Sequence, residues 1–239
     1  METSVMKSEY QQELYDALPQ VGQAFQKLAI RGALPLIDTT VRQIFMAHGV
    51  ENVFGVRLLH RHFDLDRKER MVQFGSVASP WTESVIARAA KTGIVQPSNW
   101  LFQNGVAYPY EYRYLDTNPQ DLLPDELDYT EFLVDYARFL SENDLMDTLG
   151  LVLCEGNSQR SINEICLPME RVAINYPAEK DLSIRSSSLS QEELEGEFTV
   201  PAAWFFFQDP VAHSCGKAFH VYTHVSRHPN LAVFYLDLK

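Results

Sequence analysis

Two pairs of histidines stand at even spacing. His60 and His62 lie in Leu58-Leu59-His60-Arg61-His62-Phe63, and His220 and His224 lie in Phe219-His220-Val221-Tyr222-Thr223-His224. On an extended strand, residues at even separation project from the same side. Imidazoles that share a face are the donors a divalent cation takes, and they are the groups that move protons near neutral pH. They are equally the pattern of core histidines with satisfied hydrogen bonds. His60, His62, His220 and His224 are therefore the candidate catalytic residues. A metal at His60 and His62 needs further donors, and Glu69 and Cys215 offer a carboxylate and a thiolate, a mixed set that suits zinc or iron.

Side chains for binding a substrate are also at hand. Arg57 lies three positions before His60 and Arg61 lies between His60 and His62, and such guanidinium groups can clamp a carboxylate or a phosphate bidentately. Tyr108, Tyr110, Tyr112 and Tyr114 alternate along one run, a ladder that can wall a pocket with rings and hydroxyls or pack under a helix. Arg57, Arg61, Tyr108, Tyr110 and Tyr112 are the candidate substrate-binding residues. Cys154, at the end of a strand, and Cys215, near histidines, stand where nucleophiles are found, but both read as inert packing, since free cysteine is among the most buried residue types.

These residues need elements to hold them. Apolar residues recur every three or four positions from Tyr10 to Leu28, with Pro19 dividing the stripe into two helices. Asp38 is placed to cap a further helix that Gly49 ends. A strand is expected from Val53 to Phe63, its alternation putting Phe54, Val56, Leu58, His60 and His62 on one face, with Met71 to Phe74 returning antiparallel beside it. Ser79-Pro80-Trp81 reads as a helix start. Asn104-Gly105 between two apolar runs is a strong hairpin signal. Phe132, Leu133, Tyr136, Phe139 and Leu140 mark a long amphipathic helix opened by Asp125, Glu126 and Asp128. Helices and hairpins alternate without a βαβ rhythm. The expected fold is a single α+β domain over 1–239, a mainly antiparallel sheet with a helical segment over 1–50 and the long helix packed on it.

Composition bounds the partners. The chain has 239 residues, 46% hydrophobic and 22% charged, enough to bury a sizeable core. A net charge of −12 opposes attraction to a phosphate backbone, so nucleic acid is not expected as a partner. No signal-peptide core and no spanning apolar run are found, and three cysteines are too few for a disulfide framework. A cytoplasmic protein with a small-molecule ligand and no membrane partner is the expectation.

In order, Gly55, His60, His62, Glu69 and Gly75 resemble the first motif of cupins, although the spacings differ on both sides of the histidine pair and no second motif follows. That resemblance implies His60, His62 and Glu69 as metal ligands. Leu58-Leu59-His60-Arg61-His62-Phe63-Asp64-Leu65 also resembles a segment of proteins from filamentous fungi to which no activity attaches, and implies specialised metabolism.

Together these readings imply a cytosolic enzyme acting on a small organic molecule through histidine acid/base or metal-assisted chemistry. The alternative is a non-catalytic binding or interaction protein with structural histidines. Lyase, isomerase and hydrolase chemistries stay open.

Overall fold

A computed structural model describes residues 5–7, 9–116, 129–154, 162–177, 198–206 and 217–222. The fold is of mixed α and β type. The first helices are α1 (Gln12–Asp16) and α2 (Val21–Ile30), separated at Pro19 as the sequence requires. A continuous helical stretch follows, from α3 (Leu34–Leu36) through a wider π-type turn (Ile37–Val41) into α4 (Arg42–Ala47). Asp38 is therefore not a cap. The stretch begins earlier, with Pro35 in its first turn, where a missing N–H costs nothing. Gly49, at φ +63°, terminates it in the left-handed conformation that glycine tolerates.

Ten strands then close into a barrel. In chain order they are β1 (Phe54–Leu58), β2 (Glu69–Phe74), β3 (Val77–Thr82), β4 (Gly93–Gln103), β5 (Val106–Asp116), β6 (Leu149–Leu153), β7 (Ile162–Leu167), β8 (Val172–Pro177), β9 (Phe198–Trp204) and β10 (Lys217–Tyr222). Around the barrel the order is β1-β6-β4-β5-β2-β3-β8-β7-β10-β9, and β9 returns to β1. Two pairings, β2 with β5 and β10 with β7, are parallel. The expected return of Met71–Phe74 against the first strand does not occur, because β1 takes β6 and β9 as its neighbours. Closure leaves no strand edge open where it is complete, and it gives the sheet an inner face.

The short helix α5 (Glu83–Ala89) begins after the predicted site. Ser79, Pro80 and Trp81 belong to β3, where they pair with Val72, Met71 and Arg70, and Thr82 stands at the helix N-cap position. Asn104 and Gly105, with φ +52° and +75°, make the β4–β5 hairpin turn that their identities predict. Helix α6 (Thr130–Glu142) buries Phe132, Leu133, Tyr136, Phe139 and Leu140. Asp125, Glu126 and Asp128 lie outside the described residues.

The helices cover one side of the barrel. Ala24, Leu28, Val41 and Phe45 join Phe132, Tyr136 and Leu140 in one apolar cluster with Phe54, Val56, Leu58, Leu149, Leu151, Ala202 and Trp204. Phe45 is the pivot, edge-on to Phe132, Tyr136 and Phe206 at centroid distances of 4.9, 5.4 and 5.1 Å. A second cluster holds Leu59, Met71, Ala78, Leu101, Tyr110, Cys166 and Ala173, joined by Tyr15 and Leu18.

Backbone spacing is tightest at Gly150, which pairs directly with Arg57. A Cβ there would stand 2.2 Å from the Trp100 carbonyl oxygen and 2.7 Å from Leu59 Cδ2. Gly150→Ala is expected to cost about 1–3 kcal/mol through overpacking against backbone. Gly22→Ala, on an open face of α2, is expected to stabilise by about 0.5–1 kcal/mol. Urea midpoints of the two variants check both signs.

Candidate functional site

Beyond Leu58 the chain stops behaving as a strand. The Leu59 N–H donates to the Thr148 carbonyl, the Arg61 N–H donates to the Pro19 carbonyl, and Arg61 forms a bridge with Gln20. The predicted alternation ends there. Phe54, Val56 and Leu58 face the helices, whereas His60 and His62 turn inward to the side that carries Arg57. The two rings nonetheless lie together, with centroids 5.1 Å apart and planes at 84°.

Neighbouring strands complete the site. In β5 the register shifts between Asn99 and Trp100 leave Tyr110 as the extra residue between Pro109 and Glu111. A bulge of this kind lets two successive side chains face the same way. Tyr110 and Glu111 both bear on Arg57 as a result. Strand β7 contributes Glu164 and Cys166, two residues apart and hence co-facing.

At the centre sits the His62 ring. Its Nε2 lies 3.2 Å from Glu111 Oε1, and its Nδ1 lies 3.2 Å from Glu164 Oε1 and 3.2 Å from Cys166 Sγ. Arg57 reaches Glu111 at 3.9 Å and Glu164 at 3.7 Å. Asn99 Nδ2 donates to the other oxygen of Glu111. The His60 Nδ1 is 2.8 Å from the Leu58 carbonyl oxygen. A carbonyl only accepts, so Nδ1 carries the proton and Nε2 the lone pair.

The charges balance inside this buried space. Burial alone would pull the His62 imidazolium down, but Glu164, Cys166 and Glu111 outweigh it and hold the ring well above its ordinary value. Burial pushes the Glu111 carboxyl up, and His62 and Arg57 more than reverse that, holding it below the usual range. Burial keeps the Cys166 thiol above its ordinary value despite His62, so it is a thiol rather than a ready nucleophile. Arg57 and His62 thus face Glu111 and Glu164, two cations against two anions. The His62 side chain is 2% exposed.

Other predicted residues lie elsewhere. Arg61 is on the surface, donating to the Asp16 carbonyl and 3.2 Å from Asp64, so it binds nothing at this site. Glu69 is engaged by Arg171 and by the Asp66 N–H, not by the histidines. The bulge splits the tyrosine ladder: Tyr110 is fully buried beside Arg57, Tyr108 is half-buried, and Tyr112 packs edge-on to Tyr10 under the Arg70 guanidinium. Strand pairing sets His220 in register with Glu164. His224 and Cys215 lie outside the described residues, as does the side chain of His220.

Glu111, Glu164, Cys166 and Asn99 were not among the expected site residues. Glu164-x-Cys166 carries the same even-spacing signal as His60-x-His62, the one sequence feature that could have found the pair. A cleft of about 990 Å³ opens where the α1–α2 junction, the β4–β5 hairpin and α6 meet. Leu18, Leu59 and Leu101 line it, and they belong to the same buried cluster as Tyr110 and Cys166.

Comparison with protein-family models, with curated proteins and with solved structures finds no match. Among the described residues no helix is long and apolar enough to cross a membrane.

Proposed function

We propose that this protein is a cytosolic enzyme that moves a proton on a small organic molecule, with His62 as the acid/base group. The observation that carries this reading is the His62 ring with a carboxylate against each nitrogen, 3.2 Å away on both sides. A ring so held has a fixed orientation and a strongly displaced proton affinity, and burying such a group costs stability that packing alone would not require. Glu111 and Glu164 position the imidazole, while Arg57 and Tyr110 orient the substrate. Access runs through the cleft, whose lining of Leu18, Leu59 and Leu101 must part for substrate to reach the ring.

The test compares wild type with His62→Gln in a metabolite extract followed by mass spectrometry. At least one compound is expected to rise or fall with wild type and to stay unchanged with the variant. Identical profiles from two folded proteins would sink the reading. One observation favours the non-catalytic alternative, the equality of buried cations and anions, which is what a structural network also needs. Under that reading the protein binds its partner through another surface, and the two profiles coincide.

A further inference from the structure

We propose that His60, His62, Glu164 and Cys166 form a tetrahedral site for a zinc-type divalent cation. One ligand atom from each of His60, His62 and Glu164 lies within 4.8 Å of the others, all three residues being buried. Cys166 stands beside that group rather than in it, and on this proposal its Sγ closes toward the His60 ring to complete the set. Its Sγ is 3.2 Å from His62 Nδ1 and 3.8 Å from Glu164 Oε1, and that Nδ1 is 3.2 Å from the same oxygen. Nitrogen, oxygen and sulfur ligands of tetrahedral zinc, at 2.0–2.3 Å from the metal, stand about 3.3–3.6 Å apart. The three edges of this triangle therefore differ from a zinc site by a few tenths of an ångström.

The outer partners are those that a ligating histidine requires. A metal-bound imidazole donates its remaining N–H to a carbonyl or a carboxylate, which fixes the tautomer. His60 Nδ1 does so to the Leu58 carbonyl, which directs Nε2 to the metal. His62 Nε2 stands 3.2 Å from Glu111 Oε1, an ion-pair contact that leaves Nδ1 turned toward Glu164 and Cys166. Glu111 is itself held by Asn99 and faced by Arg57. Ligands and supports thus come from the segment after β1, from β5 and from β7, and a cation would tie these three together.

Binding balances in charge. The cation takes the place of the proton on His62 Nδ1 and of the thiol proton of Cys166, and both leave to solvent. A softer donor set with one thiolate selects zinc over magnesium or calcium. With four protein ligands the site is closed. Occupancy and proton transfer by His62 therefore exclude each other, so on the enzymatic reading zinc silences the enzyme. The site itself stands independently of that reading.

Cobalt titration of the chelator-treated full-length protein tests it without any substrate. One equivalent of cobalt is expected to give the intense visible bands of a tetrahedral centre and a near-ultraviolet thiolate charge-transfer band, and zinc is expected to bleach both. Cys166→Ser should remove the charge-transfer band and weaken zinc binding by at least about a hundredfold. Glu111→Gln, an outer partner, should weaken it by about ten- to a hundredfold. His60→Gln should also abolish the tetrahedral spectrum, which keeps the test decisive should Cys166→Ser fold poorly. The proposal is overturned by a folded wild-type protein that takes up no cobalt, by a weak six-coordinate spectrum, or by binding that Cys166→Ser leaves intact. An unchanged metabolite profile would leave the cobalt result untouched, so the two failures are distinguishable.

Discussion

Arg57→Met is expected to lower the free energy of unfolding by about 3–5 kcal/mol, the usual cost of removing one member of a buried charge network. The substitution keeps most of the side-chain volume, so the cavity contribution is small and the loss is electrostatic. Glu111 and Glu164, 8% and 7% exposed, would then lose the guanidinium that faces them both. Low exposure prevents water from taking over the role of the guanidinium. Adding Glu164→Gln to Arg57→Met removes the surplus charge and should recover part of the loss, with a coupling of about 1–3 kcal/mol. Arg61→Met serves as the control. It breaks only surface contacts and should stay within about 0.5 kcal/mol of wild type. Equilibrium urea unfolding of wild type, Arg57→Met, Glu164→Gln, the double variant and the Arg61→Met control decides the matter; an Arg57→Met protein as stable as the control would mean that the network is not energetically coupled.

The legible parts of this molecule were those set by neighbours in sequence. Asn104-Gly105 identified its own hairpin, because left-handed φ at two successive positions is a local demand. Pro19 divided α1 from α2, and the apolar stripe of α6 named its buried face, for the same reason. Alternation read Phe54, Val56 and Leu58 correctly and then failed at His60 and His62. A long-range event stopped the strand, since the Leu59 and Arg61 amides bond to Thr148 and Pro19. The histidines still met, because a spacing of two keeps rings close across several backbone conformations.

Ser79-Pro80-Trp81 misled for a related reason: Pro80 is tolerated in β3 opposite Met71, and the true helix start lies at Thr82, three residues on from Ser79. Least legible was the convergence of Glu111 with Glu164. It depends on a bulge in β5 and on a barrel that carries β7 to the far side of His62, and neither leaves a periodic trace. Glu69 attracted attention through its position in sequence, yet an Arg171 on a distant turn holds it.

The second large effect is on pH dependence, and its sign follows from the same cluster. Metal-free protein is expected to be most stable between about pH 4.5 and 6.5, the ordinary values of glutamate and histidine, and to lose stability on both sides. In the folded protein His62 binds its proton more tightly than in the unfolded chain. Its contribution is complete below about pH 6.5 and is lost as pH rises through the elevated folded value. Glu111 behaves in the opposite sense: its contribution is present above about pH 4.5 and is lost as pH falls through the depressed folded value. On the alkaline side one proton is at stake, so the slope reaches at most about 1.4 kcal/mol per pH unit. Among the groups that face the ring are Glu111 from β5, Glu164 and Cys166 from β7, Arg57 from β1 and the His60 ring 5.1 Å away, and they set how far its proton affinity is raised. His62→Gln keeps an amide donor but carries no titrating proton, so its alkaline limb should flatten, and its acid limb should shrink as well, because His62 is the first of the groups that hold Glu111 down. Urea midpoints at half-unit steps from about pH 3 to about pH 9 give the comparison. A wild-type curve that stays level or climbs above pH 6.5 would show that the imidazole is not held as a cation.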